Sequence, residues 1–233
     1  MGRVHPDGVV NAEEGVQLAL AVVRLDADGV AELGDPARDE LVFVFGGGGS
    51  LAGERVEPGS AAFVAAGESA TLTAGLGGLS AGRASIGADV DLHAPMGARE
   101  RVVSVVDVEP GEATGSRSFQ VLFGPHNGST RATMFVGYIP PGAAPWHYHL
   151  YEEIVWVWKG SGRFHRAGGV EELAAGSAFH IAPREVHIVE NSSNDPELVV
   201  LGIFTPAGSP SAAYLMPDVA RSYETAYAIG QAS

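Results

Sequence analysis

Apolar and polar positions alternate along this chain in short runs, and turn-forming residues separate the runs. Residues 16–34, VQLALAVVRLDADGVAELG, read as a strand, a turn at Asp28-Gly29 and a second strand. DELVFVF (39–45) is rich in β-branched and aromatic residues, and the glycine run at 46–49 is expected to close its hairpin turn. LTAGLGGLSAGRASIGADVDL (72–92) completes a first set of strands. HAPMGARE (93–100), with a proline and a charge cluster, reads as a linker. RVVSVVDV (101–108), FQVLFGP (119–125), TMFVGYIPPG (133–142) and LVVLGIF (198–204) give a second set, with polar turns at 109–116, 126–129 and 191–197. The first fifteen residues form a polar arm, and SYETAYAIG (222–230) reads as a short helix.

The two sets repeat. ELVFVFGGGG (40–49) matches EIVWVWKGSG (153–162) in apolar pattern at an offset of 113 residues. GSAAFVAAGESA (59–70) matches GSAFHIAPREVH (176–187) at an offset of 117. The chain therefore divides into two units, 1–98 and 99–233. In the second unit Val155 and Val157 share the parity of Glu153, while Ile154, Trp156 and Trp158 face the other way. Leu41, Phe43 and Phe45 do the same in the first. Bare aromatic faces of this size would be costly in water, so they are expected to meet, either between units or between chains of a homodimer. Cover by the terminal arms is the alternative.

Composition sharpens this picture. With 233 residues the chain can bury a substantial core, and its 32 glycines and 14 prolines suit strands joined by tight turns. A formal net charge of −14 disfavours nucleic acid and anionic membrane as partners. The absence of cysteine excludes disulfides and thiolate metal sites, and fits a reducing compartment. MGRVHPDGVV lacks the apolar core of a signal peptide, and no apolar run reaches the ~18 residues of a membrane helix. A cytoplasmic protein with a small-molecule substrate is expected. The glycine run at 46–49 lacks the Lys-Ser/Thr of a phosphate loop.

The candidate chemistry lies in GAAPWHYHLYEEIVWVWKG (142–160). His147 and His149 stand two apart and Glu153 six after the first, all of one parity on an extended strand. Imidazoles and a carboxylate converging from one face suit a borderline divalent metal. His187, in a later apolar stretch, is a fourth candidate. Trp146, Tyr151 and Tyr138 are candidates for lining a substrate pocket. His180 and His165 read as ordinary strand histidines, and Arg117, Arg163 and Arg184 as surface arginines, with binding of an anionic substrate the alternative. At the repeat offsets His147 and His149 fall on Gly34 and Pro36, and His187 falls on Ala70. Only Glu40 keeps its type, read as a strand-edge charge, so the first unit is expected to hold no metal.

The stretch 142–160 resembles the first cupin motif, and GSAFHIAPREVHIVEN (176–191) resembles the second. The resemblance implies an all-β fold of two tandem cupin (jelly-roll) β-barrels. It maps His147, His149, Glu153 and His187 onto the family's metal ligands and Asn191 onto its closing asparagine. It implies one divalent transition metal per chain, Mn, Fe, Ni, Zn or Cu. Likeness to quercetinase-like cupins suggests a dioxygenase, with Glu153 as catalytic base. A sugar-acid isomerase, lyase or hydrolase on the same metal is the alternative, and a non-catalytic binding module the second.

Overall fold

The alternating runs fold into strands throughout. The computed structural model describes residues 4–11, 17–113, 117–143, 145–193 and 196–212, so the short helix expected at 222–230 lies outside the described residues. The N-terminal half supplies β1 (Leu18–Leu25), β2 (Val30–Leu33), β3 (Asp39–Leu51), β4 (Glu54–Val56), β5 (Ser60–Val64), β6 (Ala70–Ile86) and β7 (Val102–Ser104). These form one antiparallel sheet in the order β1-β6-β3-β5-β7, with β2 on β6 and β4 on β3. The C-terminal half supplies β8 (Gly111–Glu112), β9 (Ser118–Phe123), β10 (Thr133–Ile139), β11 (Gly142–Ala143), β12 (Glu152–Lys159), β13 (Ser161–Arg166), β14 (Gly169–Ala174), β15 (Ala178–Ile181), β16 (His187–Asn191) and β17 (Leu198–Thr205). They make a six-stranded sheet, β15-β12-β17-β10-β9-β8, facing a four-stranded one, β11-β16-β13-β14. Among the described residues no helix is long and apolar enough to cross a membrane.

Two expectations are overturned here. RVVSVVDV (101–108) does not open the second set of strands, because Val102–Ser104 pair with β5 in the N-terminal sheet. Gly46–Gly49 do not close a hairpin turn but lie inside β3, which runs on to Leu51 through two irregularities of register against β6. The reason is steric. Gly47 has φ +67°, and a Cβ there would come within 2.1 Å of the Gly78 carbonyl. Glycine lets the strand bend past its neighbour without breaking. The turn comes later, at Ala52 and Gly53, both at positive φ.

The parity reading holds in both halves. Val42 and Val44 of β3 are buried in one core with Leu72 and Ala81. Val155 and Val157 of β12 are buried in another with Phe164 and Phe179. The opposite faces share a third core, where Leu41 and Phe43 pack with Ile154, Trp156 and Leu201. Phe43 meets Trp158 edge-on at 4.9 Å between ring centroids, and Phe45 meets Trp156 at 4.7 Å. The aromatic faces therefore meet within the chain. The surface that suggested a homodimer is filled by the other half. The N-terminal arm adds to the cover: His5 exchanges two backbone hydrogen bonds with Ala178, and Val10 is buried in the shared core.

Acidic residues tie the halves together in a matching way. Glu152, at the start of β12 and 5 % exposed, accepts from the backbone N–H groups of Gln17 (3.0 Å) and Leu18 (3.1 Å). Its register mate in the other half, Asp39, lies 3.7 Å from the Arg131 guanidinium, which also donates to the Ala37 carbonyl at 2.8 Å. Each half thus presents a buried carboxylate to the chain entering the other. His180, expected to be an ordinary strand histidine, completes the first of these clasps, with Nε2 3.1 Å from Glu152.

Candidate metal centre

The centre forms where β10, β12, β16 and β17 surround the interior of the C-terminal half. Sequence parity placed residues 147–153 on one strand, but the continuous strand begins only at Glu152. His147 instead makes an isolated antiparallel bridge with His187, with backbone hydrogen bonds of 2.9 and 3.3 Å. Residues 149–151 then bend into β12. The Arg184 N–H holds this bend by donating to the His149 carbonyl at 2.7 Å. Arg184 itself has φ +66°, so the tight turn before His187 is made by this residue.

Bridge and bend bring the histidines together. The rings of His147 and His187 are 4.4 Å apart, and those of His149 and His187 5.0 Å apart. His149 Nε2 lies 3.0 Å from Glu153 Oε2. All four residues line one cavity of about 110 Å³. Among the described residues, no three His, Asp or Glu side chains already hold their donor atoms at a common point.

The tautomers decide what these residues offer. His147 Nδ1 lies 3.0 Å from the Pro145 carbonyl, His149 Nδ1 2.7 Å from the Tyr151 carbonyl, and His187 Nδ1 2.9 Å from the Glu185 carbonyl. A carbonyl only accepts, so each Nδ1 carries the proton, and each neutral ring keeps its lone pair on Nε2. Metal-ligating histidines commonly donate their other ring N–H to a backbone carbonyl in this way, which fixes the ring and its tautomer. At His149 the consequence is specific. Its Nε2 is buried, makes no hydrogen bond of acceptable geometry and faces a carboxylate oxygen. Two electron-rich atoms at that distance repel unless a proton or a cation sits with them. Burial also favours neutral rings. It pushes the His147 pKa down to about 4, against a raising hydrogen bond to Pro145 and helped by the charge of Arg117. Burial likewise pushes His187 well below the usual histidine value, with His147 and His149 adding to the effect. Neutral imidazole nitrogens beside a carboxylate are the donor types that a borderline divalent metal takes.

The wall of the cavity explains the remaining candidates. Tyr151 lines it, stacked between His149 (4.0 Å) and Phe204 (4.1 Å), and burial pushes its hydroxyl pKa up. Tyr138 lines it too. Its hydroxyl donates to Gln120 Oε1, and Gln120 is oriented by Nε2 donation to the Val105 (2.7 Å) and Val108 carbonyls. Trp146 is not part of the lining. Its ring stands edge-on to His165 at 6.4 Å. Asn191 is structural: its Nδ2 donates to the Ile139 carbonyl at 3.0 Å, and its Oδ1 accepts from Ser193.

Two features escaped sequence reasoning, and a third stood there only as an alternative. Arg117, read as a surface residue, lines the cavity, and burial lowers its pKa. Phe119 and Phe135 form an apolar wall. Gly202 makes room for it: a Cβ there would come within 2.2 Å of the Phe135 ring and 2.8 Å of Glu153 Oε1. A glycine inside the apolar run LVVLGIF was the available signal for such a close approach. Glu40 also needs correction. It is no edge charge but is 3 % exposed, accepts from the Gly34 N–H at 2.9 Å and pairs with Arg83.

Comparison with known proteins bears on the fold. The model of the Cupin domain family matches residues 134–204, the stretch that carries all four candidate ligands. No curated protein sequence matches the chain. Among solved structures, the chain resembles a variant of the Bacillus subtilis oxalate decarboxylase at 16 % identity and a TM-score of 0.71, covering 89 % of this chain and 74 % of that one. It resembles a putative glyoxylate-induced protein from Pseudomonas aeruginosa at 15 % identity and a TM-score of 0.70, covering 93 % and 84 %. At these identities the likeness establishes the fold, all-β and of the cupin jelly-roll type.

Proposed function

We propose that the chain is a bicupin of two units, the boundary expected at 98/99 shifting to beyond β7, which pairs with β5 of the first sheet, with a metal centre in the second unit alone. On this reading it is a metal-dependent enzyme acting on a small oxygen-rich molecule such as an enol, a hydroxy-ketone or a carboxylate. His147, His149, Glu153 and His187 would hold one divalent transition metal. The observation that carries the proposal is the buried His149 Nε2, aimed at Glu153 Oε2 at 3.0 Å with its own proton committed on the far nitrogen. When bound, such an ion supplies Lewis-acid polarisation of a substrate oxygen and, where redox-active, chemistry with dioxygen. The chain supplies the rest. Among the described residues Glu153 is the one carboxylate lining the cavity, and it is placed to take a proton from the substrate at an Oε atom. Phe119, Phe135 and Tyr151 exclude water from the same space.

Dioxygenase chemistry is the first reading, through the likeness of three histidines and a glutamate to quercetinase-like cupins. The similar folds suggest a second, since an oxalate decarboxylase is among them and oxalate is a compact acid. A lyase or isomerase reaction with no net oxygen uptake therefore stands beside it. Oxygen uptake with small diones and hydroxy-acids, repeated as substrate turnover under argon, separates the two. Either activity should vanish in His149→Ala together with the metal. Activity that survives metal loss would sink the proposal.

A further inference from the structure

We infer that the Tyr151 hydroxyl binds a substrate oxygen in this cavity and donates the hydrogen bond that stabilises negative charge developing on it. This rests on the metal-centre reading, with Glu153 as the base, and adds the group that meets the anion so formed.

Most protons of the cavity wall are already committed. Each histidine holds its Nδ1 proton on a backbone carbonyl, His147 on Pro145, His149 on Tyr151 and His187 on Glu185, whatever the state of Nε2. The Tyr138 hydroxyl donates to Gln120 Oε1. Arg117 has contacts of its own within the chain. Three hydroxyls of the described lining remain, those of Ser118, Tyr151 and Ser211, and none of them donates to a described group. A serine hydroxyl rotates to suit its surroundings, so neither serine fixes a direction. Tyr151 does. Its ring is stacked on His149 at 4.0 Å and 7° and on Phe204 at 4.1 Å and 24°. Its main chain is held as well, because the Tyr151 carbonyl accepts the His149 proton at 2.7 Å. The phenol oxygen is therefore fixed in advance, next to a candidate metal ligand and in the cavity that Glu153 also lines. A donor set in place before the reaction needs no reorganisation when charge appears, which is where such a donor acts most strongly. The step itself is a proton transfer. Glu153 takes the proton of a substrate C–H or O–H bond, and the electron pair comes to rest on the substrate oxygen. Tyr151 keeps its own proton while donating to that oxygen. The substrate class that matches is an enolisable carbonyl compound or its enol.

The test is calorimetric titration of zinc-loaded wild type and Tyr151→Phe with acetohydroxamate and with imidazole. Tyr151→Phe keeps both ring stacks and removes only the hydroxyl. Acetohydroxamate offers two adjacent oxygens, one of them charged on a metal, as an enolate would. Imidazole meets a metal through nitrogen and offers no further acceptor. Acetohydroxamate binding should weaken by about 10- to 100-fold in Tyr151→Phe, as for a lost hydrogen bond to a charged group. Imidazole binding, zinc per chain and the urea unfolding midpoint should stay unchanged. Equal acetohydroxamate affinity in the two proteins would overturn the inference, as would absence of acetohydroxamate binding to zinc-loaded wild type. A lower midpoint in metal-free Tyr151→Phe would overturn it too, because the hydroxyl would then have a partner in the protein. Failure of wild type to hold zinc is a separate result: it sinks the metal-centre reading, and this inference falls with it.

Discussion

Glu40 and Glu153 stand at the same place in the two halves, and they meet different partners. On β3 the register sets Glu40 opposite Ser85 and Val42 opposite Arg83. On β12 it sets Glu153 opposite Phe204 and Val155 opposite Gly202. Arg83 therefore occupies the position of Gly202. In the N-terminal half its guanidinium neutralises the buried glutamate directly. At the position of His147 stands Gly34, whose amide donates to Glu40 and whose Cβ, if it had one, would come within 2.2 Å of the Glu68 carbonyl. In the C-terminal half the glycine leaves space, three histidines border it, and the carboxylate faces an imidazole nitrogen. A buried carboxylate needs a positive partner. One half carries that partner covalently as arginine; on the proposed reading the other takes it from solution as a metal.

Breaking the arginine half should have the largest effect on stability. Arg83→Ala strands Glu40 with one amide donor, and removing one partner of a buried pair costs about 3–5 kcal/mol. Arg83 keeps 29 % side-chain exposure, so a loss of about 2–4 kcal/mol is expected in urea unfolding, with metal binding unchanged. Glu40→Gln in the same background should recover part of it. A loss below about 0.5 kcal/mol, typical of a surface change, would mean that the pair is not the counterpart of the metal centre.

Filling the open half comes next. Gly202→Ala places a methyl group against the Phe135 ring and Glu153 Oε1. An overpacking cost of about 1–3 kcal/mol and weaker metal affinity are expected together. Restoration of both by Phe135→Leu would assign the effect to this contact. Unfolding curves and metal titration of the two variants check it.

The smallest effect sharpens the comparison through pH. His147 has its pKa pushed from 6.5 down to about 4 in the folded state, chiefly by burial. The unfolded chain therefore takes up a proton first as pH falls. Stability of the metal-free protein is full above about 6.5 and declines as pH falls towards about 4. The partial exposure of His147 limits the loss to roughly 1–2 kcal/mol. His147→Gln should flatten the profile. A profile unchanged by that substitution would place the proton uptake elsewhere.

The all-β architecture was legible because period-two alternation reports directly on which face is buried. Val155 and Trp156 went to opposite cores as their parity required. The four candidate ligands were legible from spacing and resemblance, although they converge through a bridge and a bend where parity had suggested one strand. Three things were hidden for a common reason. The Arg83–Glu40 pair, the place of Arg117 in the cavity and the His180–Glu152 clasp all depend on which distant strands pair in which register. Local pattern cannot carry that information. The glycine run at 46–49 misled because glycine serves a bulged strand as readily as a turn.

The most direct test is elemental analysis of chain purified without chelator, run in parallel on His149→Ala and Arg83→Ala. About one transition-metal ion per chain is expected in wild type and in Arg83→Ala, and none in His149→Ala. Two ions per chain, none even after reloading, or full occupancy in His149→Ala would contradict the division between an arginine-filled half and a metal-binding one.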